Sequence, residues 1–291
     1  MFCKVEGKKI LFNREQKVSF DEILGCFNTY NGDIVYLAGS LIEGFVDELS
    51  KGMGNPHSDM DIFILRDYKW FKQTEAEFTN DVEKTTFCII NGLSLHITVL
   101  DKNYMYALIN TIPSIQIEKN CKISVTSDAG IAKLHEYSSI NTLLSRTRYS
   151  ICIHNEKDYS SMQMQIDFKA FLEKKYLFLT NLIDSRSVDV IGNLHVNEAD
   201  AALQAFREML LAFMEAVLAK EGAFVDRSKW VALKFANLAR SNSKYKNIHK
   251  IYMDVFRGYL LDKDDCIKKI AQYLSCLEKE LEMVFIDGFE D

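Results

Sequence analysis

Short apolar runs and segments with helical spacing alternate along the first 130 residues of the chain. Residues 33–38 form a compact apolar run, which predicts a strand. Residues 41–49 carry apolar side chains at helical intervals, and residues 59–65 return to an apolar run of strand length. The core of this part is therefore predicted to begin as strand, turn, helix and strand.

A hairpin and one further helix complete the predicted sheet region. Asn91-Gly92 separates two β-prone runs at residues 85–90 and 93–100, and both residue types tolerate the positive φ angles of a type I′ turn. Residues 104–112 have the spacing of a helix. These elements together predict a small mixed sheet with flanking helices.

From about residue 130 the pattern changes to successive helical segments with no strand signal. Apolar residues between positions 203 and 217 form a stripe at helical spacing, and Asn197 is the predicted N-cap of that helix. We therefore expect an α+β protein with a sheet-containing domain over residues 1–128. An all-α helical bundle domain is expected over residues 129–291.

Composition and charge exclude several classes of protein. With 48% hydrophobic and 26% charged residues, the chain has an ordinary globular composition. No apolar run approaches the roughly 20 residues that span a bilayer, so no membrane partner is expected. The net charge is −6, and neither half of the chain has the excess of positive charge that is typical of proteins that bind a phosphate backbone. Nucleic acid is therefore a secondary hypothesis.

Cysteine usage and the N-terminus indicate the compartment. The seven cysteines are scattered and contain no C-x-x-C pair, so neither a disulfide framework nor a zinc site is predicted. The first residues carry scattered charges and no apolar h-region, which argues against a secretory signal. The expected location is the cytoplasm.

Asp59 and Asp61 are the first candidates for chemistry. Alternate residues of a strand share a face, so the two carboxylates point the same way while Met60 and Ile62 point into the core. Carboxylates this close repel each other unless a cation neutralises them, and hard oxygen ligands suit Mg²⁺. A bare Asp-x-Asp is more often a polar strand edge with two solvated side chains.

The dipeptide Gly39-Ser40 lies at the predicted turn from strand to helix. A helix N-terminus offers unpaired N–H groups and a positive dipole end to phosphates, and glycine lets a phosphate approach the backbone. Alone, Gly-Ser is an ordinary turn or cap. The order strand, Gly-Ser, helix and then Ser58-Asp59-Met60-Asp61 is far more specific than either part.

In this combination the sequence resembles the nucleotidyltransferase superfamily, which includes DNA polymerase beta, the aminoglycoside and lincosamide nucleotidyltransferases, and the minimal nucleotidyltransferases of toxin–antitoxin pairs. The matching motifs are Gly39-Ser40 and Ser58-Asp59-Met60-Asp61, within residues 33–100. The resemblance implies two Mg²⁺ ions held by Asp59 and Asp61, and contacts to ATP or another nucleoside triphosphate from Gly39, Ser40 and Ser58.

Two features depart from the family pattern. Eighteen residues separate Ser40 from Asp59, so residues 51–57 look like an inserted loop. Family members also place a third carboxylate on the next core strand, where the polar face here presents His96. A neutral imidazole could ligate a metal or accept the proton of an attacking hydroxyl, and it could equally be structural. Asp101, just past that strand, is a weaker substitute.

In the helical half, the segment Asp226-Arg227-Ser228-Lys229-Trp230 resembles the Lys-Trp region of antibiotic-type nucleotidyltransferases. The lysine of that region can reach the triphosphate, so the resemblance implies a nucleotide-binding role for Lys229. A lysine at the start of an amphipathic helix is usually a solvated surface charge, and that alternative stays open.

The expected activity is Mg²⁺-dependent transfer of a nucleoside monophosphate, AMP from ATP, to a hydroxyl of a small-molecule acceptor with release of pyrophosphate. Asp59, Asp61 and His96 are the expected catalytic residues. Two alternatives stand beside it. One is an enzyme that modifies a protein or a tRNA end, and the other is a catalytically silent nucleotide-binding or interaction module.

Overall fold

The computed structural model describes residues 3–12, 16–118, 123–125, 137–257 and 263–286. Within it the chain forms two compact units. The first unit comprises Met1–Ser114 and Val125–Phe168, and the second comprises Ile115–Ser124 and Lys169–Asp291. The predicted domain boundary at residue 128 stays a prediction.

The first unit begins with a small antiparallel sheet. Strand β1 (Cys3–Glu6) pairs with β2 (Lys9–Phe12), and β2 pairs with β3 (Gln16–Ser19). The short helix α1 (Phe20–Leu24) follows directly, and a reciprocal capping box closes its first turn.

Within the described residues, eight further strands follow β3. They are β4 (Ile34–Ala38), β5 (Met60–Arg66), β6 (Phe78–Thr79), β7 (Glu83–Ile90), β8 (Leu93–Asp101), β9 (Ile115–Ile117), β10 (Ile123–Val125) and β11 (Ile151–His154). Six of them form the main sheet in the order β11, β4, β5, β8, β7 and β6, while β9 and β10 pair with each other. Only the β5–β8 pair is parallel, so the main sheet is mixed, as predicted.

The described part of the first unit contains five more α-helices. They are α2 (Ser40–Val46), α3 (Tyr68–Gln73), α4 (Lys102–Thr111), α5 (Tyr137–Arg148) and α6 (Glu156–Gln163). The predicted hairpin is confirmed: Asn91 and Gly92 connect β7 to β8 with φ angles of 50° and 80°. The α+β class predicted from the sequence is therefore confirmed.

One face of the main sheet packs in the core of the first unit. Buried residues of β4, β5 and β8 on this face contact the small sheet, α1 and α2; they include Val35, Leu37, Met60, Ile62, Leu95 and Ile97. This confirms that Met60 and Ile62 point into the core. Strand β5 begins at Met60, so Asp59 lies in the loop before the strand. Asp61 lies on the face of β5 opposite to that of Met60 and Ile62.

The expectation that no strand follows residue 130 is wrong. Strand β11 pairs antiparallel with β4, with Ile151 opposite Leu37 and Cys152 opposite Tyr36. A four-residue run is too short for a periodicity signal, so its pairing partner makes it a strand.

The second unit is predominantly helical, as expected. Its helices are α7 (Phe168–His195), α8 (Ala199–Lys220), α9 (Val231–Ser241), α10 (Lys246–Arg257) and α11 (Lys263–Ile286). The prediction that Asn197 is an N-cap is wrong, because Asn197 adopts a left-handed φ of 60° and Glu198 takes the cap position of α8. No helix in the described ranges is long and apolar enough to cross a membrane.

Two lysines lie in the interior of the second unit. Lys175 of α7 is 2% exposed, donates to the carbonyl of Val225 at 2.9 Å and pairs with Glu215 at 2.7 Å. Lys234 of α9 is fully buried and donates to the carbonyl of Phe224. Burial lowers the pKa of Lys175, and the paired carboxylate of Glu215 opposes part of that shift. Both lysines anchor the segment that follows α8.

Candidate active site

The register of the main sheet brings predicted site residues side by side. Ala38 of β4 lies opposite Asp61 of β5, and Asp61 lies opposite His96 of β8. Gly39 directly follows Ala38 at the end of β4, so it lies beside the Asp61–His96 pair. We call Gly39, Asp61 and His96 the site row. His96 thus takes the place on the third strand where the resemblance predicted a carboxylate.

Both carboxylate oxygens of Asp61 are engaged. Oδ1 lies 3.1 Å from Nδ1 of His96, and Arg146 of α5 donates to Oδ2. A carboxylate only accepts hydrogen bonds, so this contact requires a proton on Nδ1 of His96 and leaves Nε2 as the acceptor in that neutral tautomer. The side chains of Asp61 and Arg146 are 16% and 6% exposed, so this ion pair is shielded from water.

The imidazole of His96 is held by a second contact. Its ring stacks on that of Phe87, with centroids 4.9 Å apart and the planes 6° from parallel. Phe87 lies opposite His96 in the β7–β8 pair. The side chain of His96 remains 33% exposed, so the ring is oriented and still accessible.

Hydrogen bonds next to Arg146 fix the end of α5. Thr147 is fully buried, and its carbonyl accepts from Tyr159 at 3.0 Å and from Gln163 at 2.8 Å. The hydroxyls of Thr147 and Tyr36 lie 3.3 Å apart, which links α5 to β4. Burial raises the pKa of both tyrosines, so their hydroxyls stay neutral. Arg146 is therefore presented from a fixed helix end.

Gly39 is the N-cap residue of α2, directly after β4, and it lies against the ion pair. Its φ of 89° and ψ of 178° lie in a region that only glycine adopts without strain. A Cβ at this position would collide with the carboxylate of Asp61 and the guanidinium of Arg146. Both the backbone angle and the surrounding side chains therefore require glycine.

Ser58 and Asp59 lie in the loop before β5. The amide of Asn55 donates to Oγ of Ser58 at 3.0 Å, and the amide of Ser58 donates to the carbonyl of Asn55 at 3.0 Å. The hydroxyl of Ser58 thus closes a tight turn, while the carboxylate of Asp59 is exposed. Nucleotide contacts from Ser40 and Ser58 stay predictions.

A pocket of about 200 Å³ adjoins this turn. Its walls come from the small sheet, the start of α2, the loop before β5 and the β7–β8 turn. The polar residues that line it are Asn55, His57, Ser58 and Ser94. Its apolar lining, Phe12, Leu41 and Leu93, belongs to the core face of the sheet, and none of Gly39, Asp61 and His96 lines the pocket.

The residues described here do not fit the two Mg²⁺ ions that the resemblance implies. His96 and Arg146 engage both oxygens of Asp61, and a guanidinium repels a divalent ion. Across the described ranges, no three His, Cys, Asp or Glu side chains are grouped so that they could hold a metal. Magnesium binding stays a prediction, and at Asp61 it requires Arg146 to move.

Two other predicted residues have different surroundings. Asp101 is buried at the end of β8, where its side chain caps α4 by accepting from the amide of Asn103. It is therefore engaged in capping and is not placed as a third carboxylate. Lys229 is exposed in the second unit, with Nζ 4.7 Å from the ring centroid of Trp230, and its predicted nucleotide contact stays a prediction.

Sequence reasoning missed Arg146. It lies 85 residues after Asp61, in a helix that carries no recognisable motif. One physical signal was available. A carboxylate that is largely shielded from water needs a compensating charge nearby. Which of the chain's basic residues supplies it depends on tertiary structure.

Comparisons with known proteins find a weak similarity among solved structures. No family model matches the chain, and no curated protein matches it. Among solved structures, the chain is similar to a nucleotidyltransferase-like protein from Exiguobacterium sibiricum 255-15, with a TM-score of 0.46 and 10% identity. The similarity covers 90% of this chain and 73% of the other. So weak a similarity supports no conclusion about function, which has to come from the residues of the site.

Proposed function

We propose that the first unit binds a nucleoside triphosphate at the site row and transfers its nucleoside monophosphate to a hydroxyl acceptor. The observation that carries the proposal is the Asp61–His96 pair beside the glycine turn, with Nδ1 of His96 3.1 Å from the carboxylate. A carboxylate that orients an imidazole leaves Nε2 as a general base.

In this proposal the triphosphate of ATP lies at the Gly39-Ser40 turn, where glycine admits close approach. Nε2 of His96 takes the proton of the acceptor hydroxyl, and the oxygen bonds to the α-phosphorus. The bond from the α-phosphorus to the bridging oxygen breaks, and pyrophosphate leaves with that electron pair. The sequence resemblance alone implies magnesium ions at Asp59 and Asp61 and phosphate contacts from Ser58 and Lys229, and the step above uses none of them.

A small-molecule acceptor is the class that the pocket favours. Its volume of about 200 Å³ suits a single ring or part of a larger ligand, and its lining offers hydroxyl, amide and imidazole groups. The proposed product is the acceptor carrying an adenylyl group.

A catalytically silent nucleotide-binding module is the second candidate, and one observation favours it. Arg146 and His96 together engage both oxygens of Asp61, the residue on which metal-dependent transfer would depend. A protein in this state would bind nucleotide without turning it over.

Measurement of pyrophosphate release separates the two candidates. Pure protein is incubated with labelled nucleoside triphosphates and a panel of hydroxylated small molecules, with and without Mg²⁺. We expect release that depends on an acceptor and that falls by about 100-fold in His96→Ala, the range of a lost general base. Asp81→Asn removes an exposed carboxylate of the same unit and is the matched control, with unchanged activity.

Binding without turnover for every acceptor would favour the silent module. Label transferred to a co-purified protein would favour protein modification. Binding of tRNA that falls steeply with salt would favour a tRNA acceptor. Activity that is unchanged in His96→Ala would overturn the role of the Asp61–His96 pair.

A further inference from the structure

Arg146 supplies a positive charge where metal-dependent nucleotidyl transfer would need a divalent ion. We propose that Arg146 is the resident cation of the site row, and that its guanidinium excludes divalent ions from Asp61. The first part concerns the protein alone. Its extension, that a triphosphate binds with no divalent ion at Asp61, rests on the proposed function.

Charge and burial give the first step. The carboxylate of Asp61 is 16% exposed, and a carboxylate so shielded from water needs a compensating charge. Arg146 meets this need from a side chain that is 6% exposed. A guanidinium stays protonated at every pH at which proteins are stable, so the compensation is permanent and uses no bound ion.

Space gives the second step. The guanidinium of Arg146 and the carboxylate of Asp61 both fill the volume that a Cβ of Gly39 would take. Mg²⁺ binds with several of its water molecules retained, which requires an open octahedral shell. Beside Oδ2 of Asp61, the guanidinium of Arg146 already occupies the space that such a shell would need. Beside Oδ1 of Asp61, Nδ1 of His96 does so.

Rigidity gives the third step. An arginine on a mobile segment could leave Asp61 when an ion arrives. Here the adjacent Thr147 is fully buried and tied to Tyr36, Tyr159 and Gln163 by hydrogen bonds of 3.3, 3.0 and 2.8 Å. The backbone that presents Arg146 to the carboxylate is therefore fixed by its own hydrogen bonds.

Direct binding of Mn²⁺ in the absence of nucleotide tests the exclusion. Mn²⁺ replaces Mg²⁺ at oxygen ligands, and its electron paramagnetic resonance signal falls when it binds. We expect no saturable site that depends on Asp61 in the wild type. Arg146→Met should raise Mn²⁺ affinity by about tenfold or more, and the added change Asp61→Asn should remove that gain.

Two controls accompany this measurement. Arg148→Met removes an exposed arginine two residues further along α5, one that stacks over Phe168, and should bind no more Mn²⁺ than the wild type. Arg146→Lys keeps the charge and should also exclude Mn²⁺, which remains informative if Arg146→Met fails to fold. A saturable Mn²⁺ site in the wild type that Asp61→Asn abolishes would overturn the proposal.

Calorimetry with ATP tests the extension. We expect the affinity for ATP in excess EDTA to lie within about twofold of that in Mg²⁺. A loss of about tenfold or more in EDTA would contradict it. If ATP binds under neither condition, the proposed function fails, while the Mn²⁺ measurement still decides whether Arg146 excludes divalent ions.

Discussion

Gly39 is a residue whose replacement tests the site row directly, because its missing Cβ leaves room for Asp61 and Arg146. We expect Gly39→Ala to lower the free energy of unfolding of the first unit by about 1–3 kcal/mol, since the added methyl is both strained and in collision. ATP affinity should fall by about tenfold or more. Urea unfolding and calorimetry measure these two effects.

Gly7→Ala is the matched control for that prediction. Gly7 also has a positive φ, 59°, but nothing lies within 4 Å of the position its Cβ would take. The control therefore carries backbone strain without a collision. Equal losses of ATP affinity in the two variants would show that the crowding at Gly39 does not shape the binding site.

The ion pair between Arg66 and Asp33 is a residue-scale feature of stability. Their side chains are 4% and 1% exposed, and Arg66 donates to Asp33 at 2.8 Å and to the carbonyl of Asn28 at 2.6 Å. We expect Arg66→Met to lower the free energy of unfolding by about 3–5 kcal/mol, because it leaves Asp33 charged and buried. Urea unfolding, followed by the fluorescence of Trp70, measures this loss.

The exposed pair Lys4–Glu6 is the comparison, since its side chains are 59% and 54% exposed. Lys4→Met should leave the free energy of unfolding within experimental error of the wild type, because water and salt screen such a pair. A similar loss in Lys4→Met and Arg66→Met would mean that burial does not decide the contribution of the pair.

At the scale of elements, local sequence signals predicted some strands and helices, whereas others form only through tertiary pairing. The β7–β8 hairpin was predictable because Asn91 and Gly92 select its turn by their own backbone preferences. Strand β11 was not predictable, because its four residues become a strand through pairing with β4. The N-cap of α8 was misplaced by one residue, since Asn197 takes a left-handed turn that asparagine tolerates.

The packing of α7 against its neighbours in the second unit leads to a pH-dependent prediction. Burial lowers the pKa of Lys175 below its ordinary value of 10.5, so the folded state binds fewer protons than the unfolded state. Unfolding free energy should therefore rise with pH between the folded pKa and about 10.5, by up to about 1.4 kcal/mol per pH unit. The rise is measured as the difference between wild type and Lys175→Met.

The two tryptophans, Trp70 and Trp230, allow this measurement in one unit at a time. In a Trp70→Phe background, the fluorescence of Trp230 reports unfolding of the second unit. Lys279→Met removes an exposed lysine of α11 and should give a difference that does not change with pH. If the difference in unfolding free energy between wild type and Lys175→Met also does not change with pH, burial does not lower the pKa of Lys175.

At the scale of the whole molecule, the division into units predicts which fragments fold. A fragment of residues 1–168 contains the complete first unit, whereas residues 1–128 lack α5 and β11. The shorter fragment loses the strand beside β4 and the guanidinium that neutralises Asp61. We expect the fragment 1–168 to unfold cooperatively in urea and to give dispersed amide resonances. The fragment 1–128 should show neither property. Cooperative unfolding of 1–128 would support the boundary predicted from sequence.

The sequence by itself determined the local part of the site: glycine before a helix, a carboxylate on the open face of a strand, and His96 in phase on the next polar face. These follow from backbone preference and from the two-residue period of strands, which act over a few residues. The state of Asp61 was decided only by tertiary structure. Arg146 lies 85 residues away, and charge pairing through space depends on which helix end the fold brings to the sheet.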